Sequence, residues 1–199
     1  MAGSPELWAR WGKFQKYEAR GMKGAHALIL ELNRIVYTSG IKSPISSPRG
    51  QNARMHYLDS KAGREELLAQ GVSARAMRSW FKGKSRPSKA NLDRLDAAYW
   101  ARRRVNLIRS GWLKRYLDNE GRGRRVEIYP VDQSAVPESR RRPNVNERSI
   151  TVRYVWADMV DAWADQDADT MDEIWDDIIS DLDSDYTAYA YVSSVGIGA

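Results

Sequence analysis

The chain has 199 residues, a formal net charge of +6, two histidines and no cysteine. Disulfides, thiolate zinc sites and thiol nucleophiles are therefore excluded, and His26 and His56 lack metal-ligand spacing. Residues 1–125 hold 27 Lys and Arg against 10 Asp and Glu, whereas residues 126–199 hold 5 against 16. From Tyr154 onward there are 12 acidic residues and no basic one. Such an asymmetry predicts a basic front and an acidic rear with different partners, not an enzyme with one steering field.

Residues 5–37 read as helical in two pieces, around Gly21 and Gly24. Leu7, Trp8, Trp11, Phe14 and Tyr17 line one side of the first, and Leu28, Leu32, Ile35 and Val36 line the second. That spacing is the one burial requires, so the aromatic stripe is read as core or as a helix-docking face. Residues 38–53 combine Pro, Gly and Ser with basic residues and no acid, which reads as a linker.

A helical module is expected over residues 54–125. Met55, Tyr57 and Leu58 belong to its opening helix, and Leu67 and Leu68 anchor the next (Arg64 to Gln70). Residues 71–88 carry the most specific pattern in the chain. Gly71 supplies a positive φ that ends a helix and opens a turn. Val72 points inward, Ser73 caps the following helix, and Met77 and Trp80 give that helix a buried stripe. Gly83 stops it, and Pro87-Ser88 opens another helix with Leu92, Leu95, Ala98 and Tyr99 inward. This pattern predicts a helix-turn-helix whose second helix enters the DNA major groove. Ala74, Arg75, Arg78 and Ser79 are the expected base readers, since Arg can donate two hydrogen bonds to guanine and Ala can meet a thymine methyl. Ser73, Lys82, Lys84, Arg86, Lys89, Arg102, Arg103 and Arg104 are the expected phosphate contacts. Arg122, Arg124 and Arg125 lie in a Gly-rich segment that is read either as a reach toward the DNA backbone or as a solvated loop.

Residues 126–148 hold a short strand-like piece with Val126 and Ile128, then a polar loop with Arg140, Arg141 and Arg142. Residues 150–156 alternate with period two and read as a strand. Two acidic helices follow. The second is expected to open on a Thr170–Glu173 capping box and to bury Met171, Ile174, Trp175, Ile178, Ile179 and Leu182. Tyr186 to Val195 reads as a last strand. The acidic residues fall mostly on outer helix faces, which disfavours a convergent metal site and leaves a solvated face or a dock for a basic partner.

The expected fold is α+β and predominantly α. Its parts are an N-terminal helical region with a basic linker (1–53), a helix-turn-helix DNA-binding domain (54–125), an Arg/Pro-rich linker (126–148) and an acidic strand–helix–helix–strand interaction or dimerisation domain (149–199). No apolar run approaches a membrane span and no signal-peptide pattern opens the chain, so the expected location is cytoplasmic and DNA-associated. No cofactor is expected. No nucleophile–base pair can be assembled, which argues against an enzyme acting alone.

Residues 71–88 resemble the helix-turn-helix of phage repressors and plasmid regulators, in which Gly-Val-Ser, a later Trp-x-x-Gly and a Pro-Ser pair recur. More narrowly, Met55-His-Tyr-Leu58, Gly71-Val-Ser-Ala-Arg75, Gly83 and the strand from Arg148 to Val155, followed by helices and a final strand, are similar to the telomere terminal proteins of actinomycete linear chromosomes and plasmids. That resemblance implies telomeric DNA binding, covalent attachment to 5′ ends and priming from a side-chain hydroxyl alongside a DNA polymerase. This chain is arginine-rich where the family bears its linking threonine, so Ser134, Ser139, Ser149 and Thr151 are the candidate hydroxyls. Three readings stand: a telomere or replicon-maintenance protein, a phage- or plasmid-type transcriptional repressor acting as a homodimer, and an adaptor whose acidic domain recruits a basic protein.

Overall fold

The computed structural model describes residues 18–182 and 188–198. The chain is mixed α+β and mainly helical, and the described residues include a four-stranded antiparallel sheet. Two compact units partition it: residues 34–111, and residues 1–33 together with 112–199. The division falls inside helix α1 (Gly24–Thr38).

The unit of residues 34–111 holds α2 (Pro48–Leu58), α3 (Lys61–Ala69), α4 (Ala74–Phe81) and α5 (Lys89–Arg109). Serine sits at all four N-caps. The hydroxyls of Ser47, Ser60 and Ser73 accept from the amides of Gly50, Gly63 and Ala76 at 3.0, 3.0 and 3.2 Å, satisfying donors the helix leaves open. Ser88 caps α5 by position; its hydroxyl accepts from the Asn91 side-chain amide at 3.2 Å and not from a backbone N–H. Leu58, Leu67, Val72, Met77, Trp80, Leu95, Ala98 and Tyr99 form the core. Each of the larger of these contributes about 1.5–3 kcal/mol on full burial. Beside it lies an ion pair between a buried arginine and a half-buried carboxylate: Arg54 Nε donates to Asp96 at 2.5 Å, and Arg54 Nη1 donates to the carbonyls of Ser43 (2.9 Å) and Gly50 (3.2 Å). The Trp100 indole donates to the other Asp96 oxygen at 3.2 Å.

In the second unit, β1 (Met22–Lys23), β2 (Arg124–Pro130), β3 (Arg148–Val152) and β4 (Tyr191–Gly198) make the sheet in the order β1-β4-β2-β3. Val126 pairs with Ile150 on one side and Ile197 on the other. Val126, Ile128, Val152, Val192, Val195 and Ile197 are buried, while Arg125, Ser149, Thr151 and Ser194 are exposed. This is the alternation of a sheet covered on one face. Helices α6 (Trp112–Asp118), α7 (Trp156–Asp165) and α8 (Ala168–Ser180) belong to the same unit. Trp175 donates its indole N–H to the Tyr189 carbonyl at 3.0 Å, and Trp163 donates to Asn33 at 3.0 Å. The flank of β4 is met by Glu31 of α1, a 5 % exposed carboxylate that accepts from the Ile197 amide at 2.9 Å.

Several expectations change. Residues 38–53 are not a linker: Ile41 and Ile45 pack on the core, and the Ile41 amide donates to the Tyr99 hydroxyl at 2.9 Å. Pro48 sits in the first turn of α2, where its missing N–H costs nothing. Residues 149–199 do not form a self-contained strand–helix–helix–strand domain, because β2 lies between β3 and β4 and β1 borders β4. The strand expected over 150–156 stops at Val152, and Trp156 opens α7 and is buried. The cap of α8 is Asp167, which accepts from the Thr170 amide at 3.1 Å and its hydroxyl at 2.6 Å, not a Thr170–Glu173 box. These two bonds hold the Asp167 carboxyl below its ordinary value. The last strand begins at Tyr191. The aromatic stripe of residues 7–17 and the start of the expected last strand lie outside the described residues.

Candidate nucleic-acid interface

The turn between α3 and α4 is built as its residue types require. Gly71 has φ 80°, in the left-handed region that side chains avoid. Its amide and that of Val72 donate to the carbonyls of Leu68 (2.9 Å) and Leu67 (3.0 Å), closing the end of α3. Val72 is 2 % exposed, and the turn is held from α5 by Arg94, whose Nη1 donates to the Gly71 carbonyl at 3.2 Å. Helix α4 then buries Met77 and Trp80 and ends at Gly83, φ 66°.

The rest of this segment faces water. Ser73, Ala74, Arg75 and Arg78 are exposed on the first two turns of α4. Arg78 Nε donates back to the Ala74 carbonyl at 3.1 Å, so its guanidinium lies along the helix. Ser79 is half-buried, its hydroxyl 2.7 Å from that of Ser85. Lys82, Lys84, Arg86 and Lys89 are exposed, while Pro87 among them is buried and anchors the loop. No acidic residue occurs between Glu66 and Asp93. Among the described residues, none of Arg75, Arg78, Lys82, Lys84, Arg86 and Lys89 has an ion-pair partner. Folding thus leaves this row of six cations with its charge uncompensated.

Arg102, Arg103 and Arg104 of α5 are placed differently from the rest of the expected set. All are half-buried. Arg103 Nη2 donates to the carbonyl (2.5 Å) and hydroxyl (2.9 Å) of Ser39, so it ties down the segment after α1. Two residues outside the expected set support the turn: Arg94, and Arg64, which pairs with Asp59 at 2.7 Å and lies over the Phe81 ring at 5.1 Å. Their only sequence signal is a basic residue on the helix flanking each end of the turn, which surface helices also show.

The four candidate hydroxyls are all exposed and lie on three segments. Ser134 sits in a turn in which its hydroxyl and amide hold the Asp132 carboxyl below its ordinary value. Ser139 is in a short 3-10 helix (Glu138–Arg140). Ser149 and Thr151 are on β3, opposite Glu127 and Arg125 of β2. Arg124, read as a flexible basic reach, is instead in β2, where it donates twice to the Tyr116 carbonyl (2.9 and 2.6 Å) and covers the Tyr116 ring at 4.4 Å. Both histidines are exposed, and no group of metal-ligating side chains converges among the described residues. Nor is any described helix long and apolar enough to cross a membrane.

Comparison with protein-family models, with curated proteins and with solved structures finds no match to this chain.

Proposed function

We propose that the unit of residues 34–111 is a helix-turn-helix that binds double-stranded DNA sequence-specifically, with α4 in the major groove. The observation that carries this reading is the row of six exposed, unpaired cations on and after α4, held by a buried scaffold and a fixed turn. Arg75 and Arg78, with Ala74 and Ser79 beside them, read bases. Ser73, Lys82, Lys84, Arg86 and Lys89 contact phosphates and set register. Arg102 and Arg104 add to the phosphate set at most through their exposed tips, and Arg103 serves the fold.

The reading is tested by selecting duplexes from a randomised pool and titrating the best one at several salt concentrations. Arg78→Ala relaxes preference at one base position at a cost of about 1–3 kcal/mol. Lys84→Ala weakens all sequences alike and lowers the salt slope by about 1. A pool that yields no preferred duplex, or variants that bind as the parent does, sinks the proposal.

The biological role we propose is replicon or telomere maintenance, on the strength of the terminal-protein resemblance of Met55–Leu58, Gly71–Arg75 and Gly83. Crosslinking to host DNA tests it: occupancy concentrated at molecular ends supports it. Discrete palindromic internal sites with half-sites about one helical turn apart replace it by a dimeric repressor.

A further inference from the structure

Tyr154 is 81 % exposed, the most exposed of the large hydrophobics among the described residues. It is not on a loose loop. The Trp156 indole donates to the Val152 carbonyl at 3.0 Å, and the Trp156 amide donates to the Tyr154 carbonyl at 2.7 Å. Trp156 itself is 2 % exposed, so these bonds fasten a three-residue turn, Arg153-Tyr154-Val155, to the core. Val155 in that turn has φ 59° and ψ −11°. A β-branched residue avoids this left-handed region, and such outliers persist only where the surroundings impose them. The fold thus holds an aromatic ring in water on a rigid mount.

A cleft of about 350 Å³ opens beside the ring, lined by Lys114, Arg115 and Arg153, with apolar wall from Val155 and Trp156. Arg153 is exposed and makes no hydrogen bond or ion pair with a described residue. Lys114 pairs with Asp161 at 2.7 Å, but the two side chains are 38 % and 57 % exposed, and an exposed pair of this kind exchanges partners at little cost. The one acid in the lining, Asp118, accepts from the Gly121 amide at 2.8 Å. A second cleft of about 370 Å³ shares Arg153, Tyr154 and Val155 with the first but is also lined by Asp177 and Asp181, which repel anions. The first cleft, where Lys114 and Arg115 add to the shared Arg153, is therefore the one that favours an anionic ligand with a flat face.

We propose that this cleft holds one unstacked nucleotide, its base on the Tyr154 ring and its phosphate among Arg153, Arg115 and Lys114. Stacking on an exposed aromatic with cations at the backbone is the chemistry of single-strand binding. The nucleotide belongs to a single strand or arrives free, and the two are separable. The site lies outside residues 34–111, so it stands or falls apart from the duplex-binding reading.

The test is fluorescence anisotropy of the full chain with a labelled ten-residue oligo-dT, and with thymidine monophosphate as competitor. The parent binds the oligonucleotide, and Tyr154→Ala weakens it about 10-fold, within the range of one lost base–aromatic stack. Tyr154→Phe stays within about 2-fold, and Arg153→Gln weakens binding and flattens its salt dependence. Competition by the monophosphate at millimolar concentration that Tyr154→Ala abolishes assigns a free nucleotide, and its absence assigns a strand. Duplex binding by Tyr154→Ala equals that of the parent. The proposal is overturned by a parent that binds neither probe, or by single-strand binding that Tyr154→Ala leaves intact. It is likewise overturned by binding that follows Arg75→Ala and Arg78→Ala instead, or by Tyr154-dependent capture of an arginine-rich peptide without any nucleotide. If the oligonucleotide binds through Tyr154 and no duplex binds, this site stands and the duplex reading fails.

Discussion

The two units use positive charge in opposite ways. Around α4, six cations stand exposed without ion-pair partners, while the one buried arginine nearby, Arg54, is fully engaged by Asp96 and two carbonyls. In the other unit many of the cations are bound into the fold. Lys23 pairs with the buried Asp172 at 2.9 Å, Arg124 grips the Tyr116 carbonyl, Arg141 donates to the Val136 and Ser134 carbonyls, and Arg148 donates to the Tyr189 hydroxyl. Arg153, beside Tyr154, makes no such bond with a described residue. A basic residue is informative about ligands only after the charges that folding itself uses are removed. Total charge would have ranked Arg103 and Arg124 with Arg75, and the hydrogen bonds separate them.

The largest effect that sharpens this contrast is on stability. Arg54→Ala removes the buried partner of a half-buried pair, strands the Ser43 and Gly50 carbonyls as well as Asp96, and costs about 3 kcal/mol in urea unfolding. Arg153→Ala changes stability by less than about 0.5 kcal/mol, as an exposed unpaired cation should. Next, Glu31→Ala strands the buried Ile197 amide and costs about 1–3 kcal/mol, while Glu31→Gln recovers most of it because an acceptor remains. An equal loss in both variants would mean that the charge of Glu31, not its acceptor, serves the sheet. Smaller again is Ser73→Ala, which removes the α4 cap and costs about 1 kcal/mol by the same measurement. Because it loosens the first turn, it also weakens duplex binding more than its exposure alone suggests.

The smallest effect concerns pH. Burial, then the neighbouring carboxylates Asp172 and Asp177, push the Asp176 carboxyl above its ordinary value. A raised folded-state pKa contributes stability below the unfolded value, about 3.9, and that contribution is lost as pH rises through the folded one. Asp176→Asn should therefore raise Tm by about 1–2 °C at pH 7, with the gain vanishing at pH 3. A variant less stable than the parent at pH 7 would show that the carboxylate has a favourable partner. Asp167 runs the other way: its cap bonds lower its pKa, so its contribution is present above about pH 4 and fades in more acid solution.

Local chemistry was legible along the chain. Gly71, Ser73, Met77, Trp80 and Gly83 fall where their residue types require, because turn geometry, capping and helical burial depend on neighbours within a few residues. The apolar face of α8 and the strand character of Val126 and Ile128 follow from periodicity for the same reason. What the order of residues could not carry was pairing between distant segments. Placing β2 between β3 and β4, closing the flank of β4 with Glu31, and fastening residues 38–53 against the core through Arg54 and Asp96 all join partners far apart in sequence. Such joins are chosen by shape and by the satisfaction of buried polar groups, which leave no local pattern. The same holds for Tyr154. Its alternating neighbours read as a continuing strand, but burial of Trp156 forces Val155 into a left-handed turn and leaves the tyrosine ring in solvent.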